Sequence, residues 1–95
     1  KDLYTEVETY LEDAILGADL TIETITGSRL ALTIPPETQN GRRFRLARQG
    51  MPVLNDPDAK GDLYATIKVI LPTDLSQEEQ ELFLRLKELR DGKGS

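Results

Sequence analysis

The sequence contains neither cysteine nor histidine. Without cysteine there are no disulfides, zinc ribbons or thiol nucleophiles, and without histidine the usual general base of neutral pH is missing too. A metal site would need oxygen ligands alone. Asp2, Glu6, Glu8, Glu12 and Asp13 read as a solvated acidic face, and Asn55-Asp56-Pro57-Asp58 lacks the glycine and distal glutamate of a calcium loop. Ser28, Ser76 and the threonines have no histidine to activate them, and there is no glycine-rich phosphate loop. The chain is therefore not expected to be an enzyme, and no cofactor or metal is expected. No apolar run approaches the ~20 residues that span a bilayer, and the N-terminus lacks the basic and apolar regions of a signal peptide. A cytoplasmic location follows as the expectation, with no membrane partner.

With 95 residues the chain is sized for one domain and a single core. Its 17 acidic against 12 basic residues give a net charge of −5, which disfavours nucleic acid as a partner. Arg42, Arg43, Arg45 and Arg48 form the one basic concentration. Strand alternation separates Arg43 and Arg45 from Arg42, and no aromatic beyond Phe44 accompanies them, so they read as a charged outer strand face.

Alternation from Leu3 to Leu11, with Leu3, Val7 and Leu11 opposite Glu6 and Glu8, predicts a half-buried strand. Leu11 to Leu16 closed by Gly17 reads as one or two helical turns. Leu20 and Ile22, then the turn Thr26-Gly27-Ser28, then Leu30, Leu32 and Ile34 predict a hairpin that Pro35-Pro36 ends. Phe44 and Leu46 point inward while Arg43 and Arg45 point outward. The stretch from Gly50 to Gly61 reads as a polar loop of about a dozen residues. Leu63, Ala65, Ile67, Val69 and Leu71 share one face of the clearest strand, which Pro72 stops.

Ser76 followed by Glu79 is a capping-box pattern, predicting a helix from about Gln77 to Arg90 with Gly92 beyond its end. Leu82, Leu86 and Leu89 fall on one stripe, read as its core face, with Phe83 at the margin. Leu84 lies near 200° from Leu82, on the far side among polar residues. Glu81 and Arg85 are spaced for an ion pair. The fold class is mostly β: five or so strands in a small β-sandwich-like domain with one short internal helix and a C-terminal helix.

Several segments in order resemble the second C-terminal domain of DnaJ (heat shock protein 40) co-chaperones. They are Asp2-Leu3-Tyr4; Glu12-Asp13-Ala14-Ile15-Leu16-Gly17; Ile34-Pro35-Pro36-Glu37-Thr38-Gln39-Asn40-Gly41; Phe44-Arg45-Leu46 with Gly50-Met51-Pro52; and Gly61-Asp62-Leu63-Tyr64 running to Leu71-Pro72 and a helix. Asp2-Leu3-Tyr4 and Asp62-Leu63-Tyr64 echo one another. Glu37 stands where the family's loop has a glycine, and Arg48 where a Gly-Lys-Gly segment has its first. Both departures bring into question any positive φ at those positions.

The resemblance implies one such domain over residues 1–91, strands and short helix to residue 72 and terminal helix about 76–91, with 92–95 a flexible tail. It implies a module that binds unfolded protein clients and supports a homodimer, working with a DnaK-type chaperone through a J-domain not contained here. Clients are expected to add weakly to a sheet edge, with Ile15, Leu16, Phe44 and Ile70 as candidates for a shallow groove. Phe83, Leu84 and Leu89 are the candidate dimer contact. A DNA-associated relative using the Arg42 to Arg48 cluster, and a generic protein-interaction domain, are the alternatives.

Overall fold

A computed structural model of the chain describes residues 1–25, 27–53 and 56–93. The order of elements is β1 (Leu3–Tyr10), α1 (Leu11–Leu16), β2 (Ala18–Glu23), β3 (Arg29–Ile34), β4 (Arg43–Leu46), β5 (Pro52–Val53), β6 (Asp56–Lys60), β7 (Leu63–Ile70) and α2 (Gln77–Gly92). β7 is the centre of a mixed sheet of order β1-β7-β4, with β1 parallel and β4 antiparallel to it. β2 and β3 form a separate antiparallel pair.

The two sheets face each other across one core. Ile22, Leu32 and Ile34 of the hairpin pack against Leu63, Ala65 and Ile67 of β7, with Leu3, Val7, Phe44, Leu46 and Val69 packed around them. Every inward position of β7 was legible from its alternation, because a period of two puts Leu63, Ala65 and Ile67 on one side. Leu71 is the exception, exposed beyond the strand end. β1 continues the same rule, although its fourth inward residue is Thr9. That side chain is buried because its hydroxyl donates to the Val7 carbonyl, 3.1 Å away.

α1 ends at Gly17, whose φ of 84° lets the chain leave the helix toward β2. A Cβ there would lie 3.0 Å from the Pro36 nitrogen, so the glycine also admits the next loop. That loop caps α1 from outside the helix. Glu37 N–H donates to Ile15 C=O at 2.9 Å and Thr38 N–H to Ala14 C=O at 2.8 Å, satisfying carbonyls that a short helix leaves open. Aiming both donors this way requires a left-handed residue. Glu37 supplies it with φ 63°, and Arg48 likewise has φ 63°, so both positions keep the positive φ without the glycine.

The Gly50 to Gly61 segment is a hairpin rather than the polar loop read from its composition. β5 and β6 pair antiparallel, with Gly50 N–H donating to Gly61 C=O and Gly61 N–H to Met51 C=O at its base. Pro52 is tolerated because, among the described residues, β5 pairs with β6 alone. Thr26 and Asn55, which belong to the hairpin turn and the acidic loop of the sequence reading, lie outside the described residues, as do residues 94 and 95 of the tail.

The capping box of α2 is complete: Glu79 N–H donates to Ser76 Oγ at 3.1 Å, and Ser76 N–H donates to Glu79 Oε1 at 2.8 Å. The helix runs to Gly92, slightly past the predicted end. Its apolar stripe is not core, since Leu82, Leu86 and Leu89 are 64%, 46% and 48% exposed. Periodicity identifies an apolar face but not what covers it. Arg85 pairs with Glu88 at 3.8 Å, not with Glu81, whose carboxylate accepts from Gln77. The radius of gyration is 17.8 Å, against about 12 Å for a compact chain of this length.

Candidate functional site

Two surfaces bring the candidate residues together. The first lies where α1 meets α2. Ile15 and Leu16 stand exposed on α1 because only Ala14 of that helix is fully buried. With Leu11, Glu12 and Phe83 they line a hollow of about 200 Å³. A second hollow of about 380 Å³, which shares Glu12 and Phe83 with the first, is lined by Glu12, Pro72, Glu79, Leu82, Phe83 and Leu86. A third brings Ile15 and Leu86 beside Glu37, Thr38, Gln39 and Arg90. α2 thus stands over α1 without filling the space between.

The candidate client residues divide. Ile15 and Leu16 share the hollow with Phe83. Phe44 is half-buried against the core, its ring covered by the Arg42 guanidinium at 4.7 Å. Ile70 pairs in register with Tyr10 and lines a recess with Glu8, Thr9 and Tyr10. Of the candidate dimer residues, Phe83 faces α1, whereas Leu84 lines none of these hollows and is 59% exposed. Leu82 and Leu86, core by their spacing, are surface in the structure; nothing in the periodicity separates the two roles.

The second surface is the outer face of the β1-β7-β4 sheet. The echoed motifs become neighbours, Leu3 opposite Leu63 and Tyr4 opposite Tyr64. The tyrosine rings stack with centroids 5.2 Å apart and planes 14° from parallel. Arg43 places its guanidinium 5.4 Å from the Tyr4 ring and 5.8 Å from that of Tyr64. The arginine cluster therefore does have aromatic company. It comes from strands distant in sequence, which a search along the chain around Phe44 does not find; the repeated Asp-Leu-Tyr was the available signal.

Asp62 ties this face together. It accepts from Arg45 Nε at 2.6 Å and from Arg48 N–H at 2.9 Å, and its own N–H donates to Asp2 Oδ1 at 2.7 Å. The Arg48 amide first, and the Arg45 guanidinium second, hold its carboxyl below the usual aspartate range.

No described helix is long and apolar enough to cross a membrane. The sequence profile of the DnaJ C terminal domain matches residues 1–72, everything from β1 to the end of the sandwich. This chain belongs to the DnaJ C-terminal domain family. It is 36% identical over 94 residues to the chaperone protein DnaJ of Chelativorans sp. (strain BNC1), covering 99% of this chain and 25% of that protein. It is 40% identical over 88 residues to the chaperone protein DnaJ of Mesorhizobium japonicum, covering 93% and 23%. A third relative is the chaperone protein DnaJ of Bartonella henselae, 36% identical over 94 residues, 99% of this chain and 25% of that protein. The chain thus spans about a quarter of the length of the curated relatives it matches.

Proposed function

We propose that this chain is the second C-terminal domain of a DnaJ-type co-chaperone, holding unfolded polypeptide clients and joining two copies of its parent. DnaK-type chaperones are the downstream partner, engaged through a J-domain elsewhere in the parent. The observation that carries the reading is the uncovered apolar surface of Ile15, Leu16, Leu82, Phe83 and Leu86 on a small acidic domain of this family. Exposed apolar side chains gathered around hollows have nothing to gain from water and much from an unfolded segment. Leu84, on the far side of α2, supports pairing, because an isologous contact sets one patch against itself.

The test is aggregation suppression. In molar excess and without ATP, the chain should slow aggregation of a chemically denatured reporter protein, and Ile15→Asp with Leu16→Asp should lose most of that effect while keeping the β-rich circular dichroism spectrum. Equal protection by wild type and variant would overturn the reading. So would severalfold stimulation of DnaK ATP turnover by this chain alone, which belongs to a J-domain.

A second reading, nucleic-acid association through Arg42 to Arg48, is favoured by the Tyr4–Tyr64 stack beside Arg43. Stacking on tyrosine and a nearby guanidinium is how single strands are held without sequence preference. It requires a single-strand shift that weakens steeply with salt and disappears in Tyr4→Ala with Arg43→Ala.

A further inference from the structure

Of the side chains that give up a single electron readily, this sequence has only tyrosine, since cysteine, histidine and tryptophan are all absent. Its one methionine, Met51, is exposed and oxidises instead by gaining an oxygen atom. Two of the three tyrosines are not independent of each other. Tyr4 and Tyr64 lie in register on parallel strands, their ring centroids 5.2 Å apart and their planes 14° from parallel. Neighbouring strands are ~4.8 Å apart, so the rings stand almost as close as the backbones that carry them and neither splays away. The Arg43 guanidinium rests against both. Tyr4 is open to water and Tyr64 is half-buried beside it. Tyr10 is exposed as well, but it pairs in register with Ile70 and has no ring contact among the described residues.

We propose that Tyr4 and Tyr64 are a site of oxidative cross-linking, at which the two rings couple into a dityrosine that fastens β1 to β7. Each phenol gives one electron to a one-electron oxidant, such as a ferryl haem or a photo-oxidised metal complex, and its hydroxyl proton to water. The two phenoxyl radicals then pair their spins in a carbon–carbon bond between ring positions ortho to the oxygens. The hydrogens on those carbons shift as protons to the oxygens and restore both phenols, so the pair loses two electrons and two protons in all. Stacking favours this outcome, because held neighbours react without the encounter that separate radicals need. The bond joins residues sixty positions apart, and a link of that span restricts the unfolded chain far more than the folded one. It forms on the outer face, while the flanking Leu63 and Ala65 point into the core, so no packed side chain has to move. The proposal rests on neither the client nor the nucleic-acid reading.

The experiment illuminates the dilute chain with ruthenium tris-bipyridyl and persulfate, the persulfate taking up both electrons as it becomes sulfate. The product should be a monomer that has lost two hydrogens by mass spectrometry, shows dityrosine fluorescence, and on proteolysis gives one linked pair of peptides carrying Tyr4 and Tyr64. That link should outnumber links through Tyr10 by at least about ten-fold, as held neighbours outrun chance encounters. Tyr10→Phe should leave the yield unchanged, whereas Tyr4→Phe and Tyr64→Phe should each abolish the intramolecular product. In concentrated urea the chain should lose most of its preference for the pair. The purified linked monomer should keep the circular dichroism spectrum and unfold at a higher urea midpoint than the unlinked chain. Links spread evenly over the three tyrosines, or the same pattern in urea as in buffer, would show that reactivity and not geometry selects the pair, and would overturn the proposal. A predominance of covalent dimers would overturn it too, because copies would then be meeting before the stacked rings couple. A lower urea midpoint would show that the bond distorts the sheet it was proposed to fasten.

Discussion

Arg45 Nε lies 2.6 Å from Asp62 Oδ2, bridging β4 to the residue that precedes β7. With the Arg48 N–H on the other oxygen, the folded state holds Asp62 below its ordinary pKa of 3.8. A carboxylate depressed on folding contributes stability that is fully present above its unfolded pKa and lost as pH falls through the folded one. Urea midpoints of the wild type should therefore hold steady near neutrality and fall below about pH 4. Asp62→Asn should be less stable at neutral pH and lose much of that acid dependence; an unchanged acid limb would show that other carboxylates govern it.

Glu37 is strained for the sake of α1. A non-glycine residue at a left-handed φ costs ~1–2 kcal/mol, against ~0.5–1 kcal/mol of extra chain entropy lost by glycine. Glu37→Gly should accordingly raise stability by up to about 1.5 kcal/mol, a gain of several degrees in melting temperature by calorimetry. A loss would mean that the Glu37 side chain does more than its backbone.

Large-to-small substitutions should separate the two leucine-rich faces. Ile67→Ala, in the centre of the core, should cost ~2–5 kcal/mol in denaturant unfolding. Leu82→Ala and Leu86→Ala should each cost less than about 1 kcal/mol, as surface changes do. Costs on the α2 residues equal to that of Ile67→Ala would place the helix in the core.

Gly61 sits where the β5–β6 hairpin passes under the start of β1, and an added Cβ would overlap the Lys1 carbonyl and the Asp2 nitrogen, both backbone. Gly61→Ala should lower stability by ~1–3 kcal/mol, with the loss visible as a lower urea midpoint at unchanged slope. A neutral effect would mean that the first two residues yield.

Leu84→Glu should convert a dimer of this chain to a folded monomer, halving the mass by light scattering without altering the circular dichroism. A variant that stays paired removes Leu84 from the contact, and one that unfolds assigns it to the core.

What was legible in the sequence follows from range. α1, its glycine stop, the β2–β3 hairpin, the inward face of β7 and the Ser76–Glu79 cap are set by residues within a few positions of each other, and these agree with the structure to within a residue or two. The parallel pairing of β1 with β7 joins segments sixty residues apart, so the sequence showed only the repeated Asp-Leu-Tyr and not that its tyrosines stack. The Gly50–Gly61 hairpin was hidden because prolines and aspartates argue against strand locally, while its pairing is secured by backbone bonds of Gly50, Met51 and Gly61 that are blind to composition. Of the surfaces, the sequence offers Ile15 and Leu16 only as groove candidates; their exposure, and their meeting with Phe83, depend on how α1 packs and where α2 lies.

Asn40 and Gly41 form the dipeptide most prone to spontaneous deamidation, in which the glycine nitrogen attacks the asparagine carboxamide to close a succinimide ring. Here that nitrogen donates to Ile67 C=O at 2.8 Å, and the carboxamide oxygen accepts from Val69 N–H at 2.8 Å, so both reacting partners are held along β7. The stretch leading into β4 thus works as a chemical preservative: Asn40 ages chiefly in molecules where residues 40–42 have come away from β7, and the isoaspartate it leaves records how often that happens over the life of the protein.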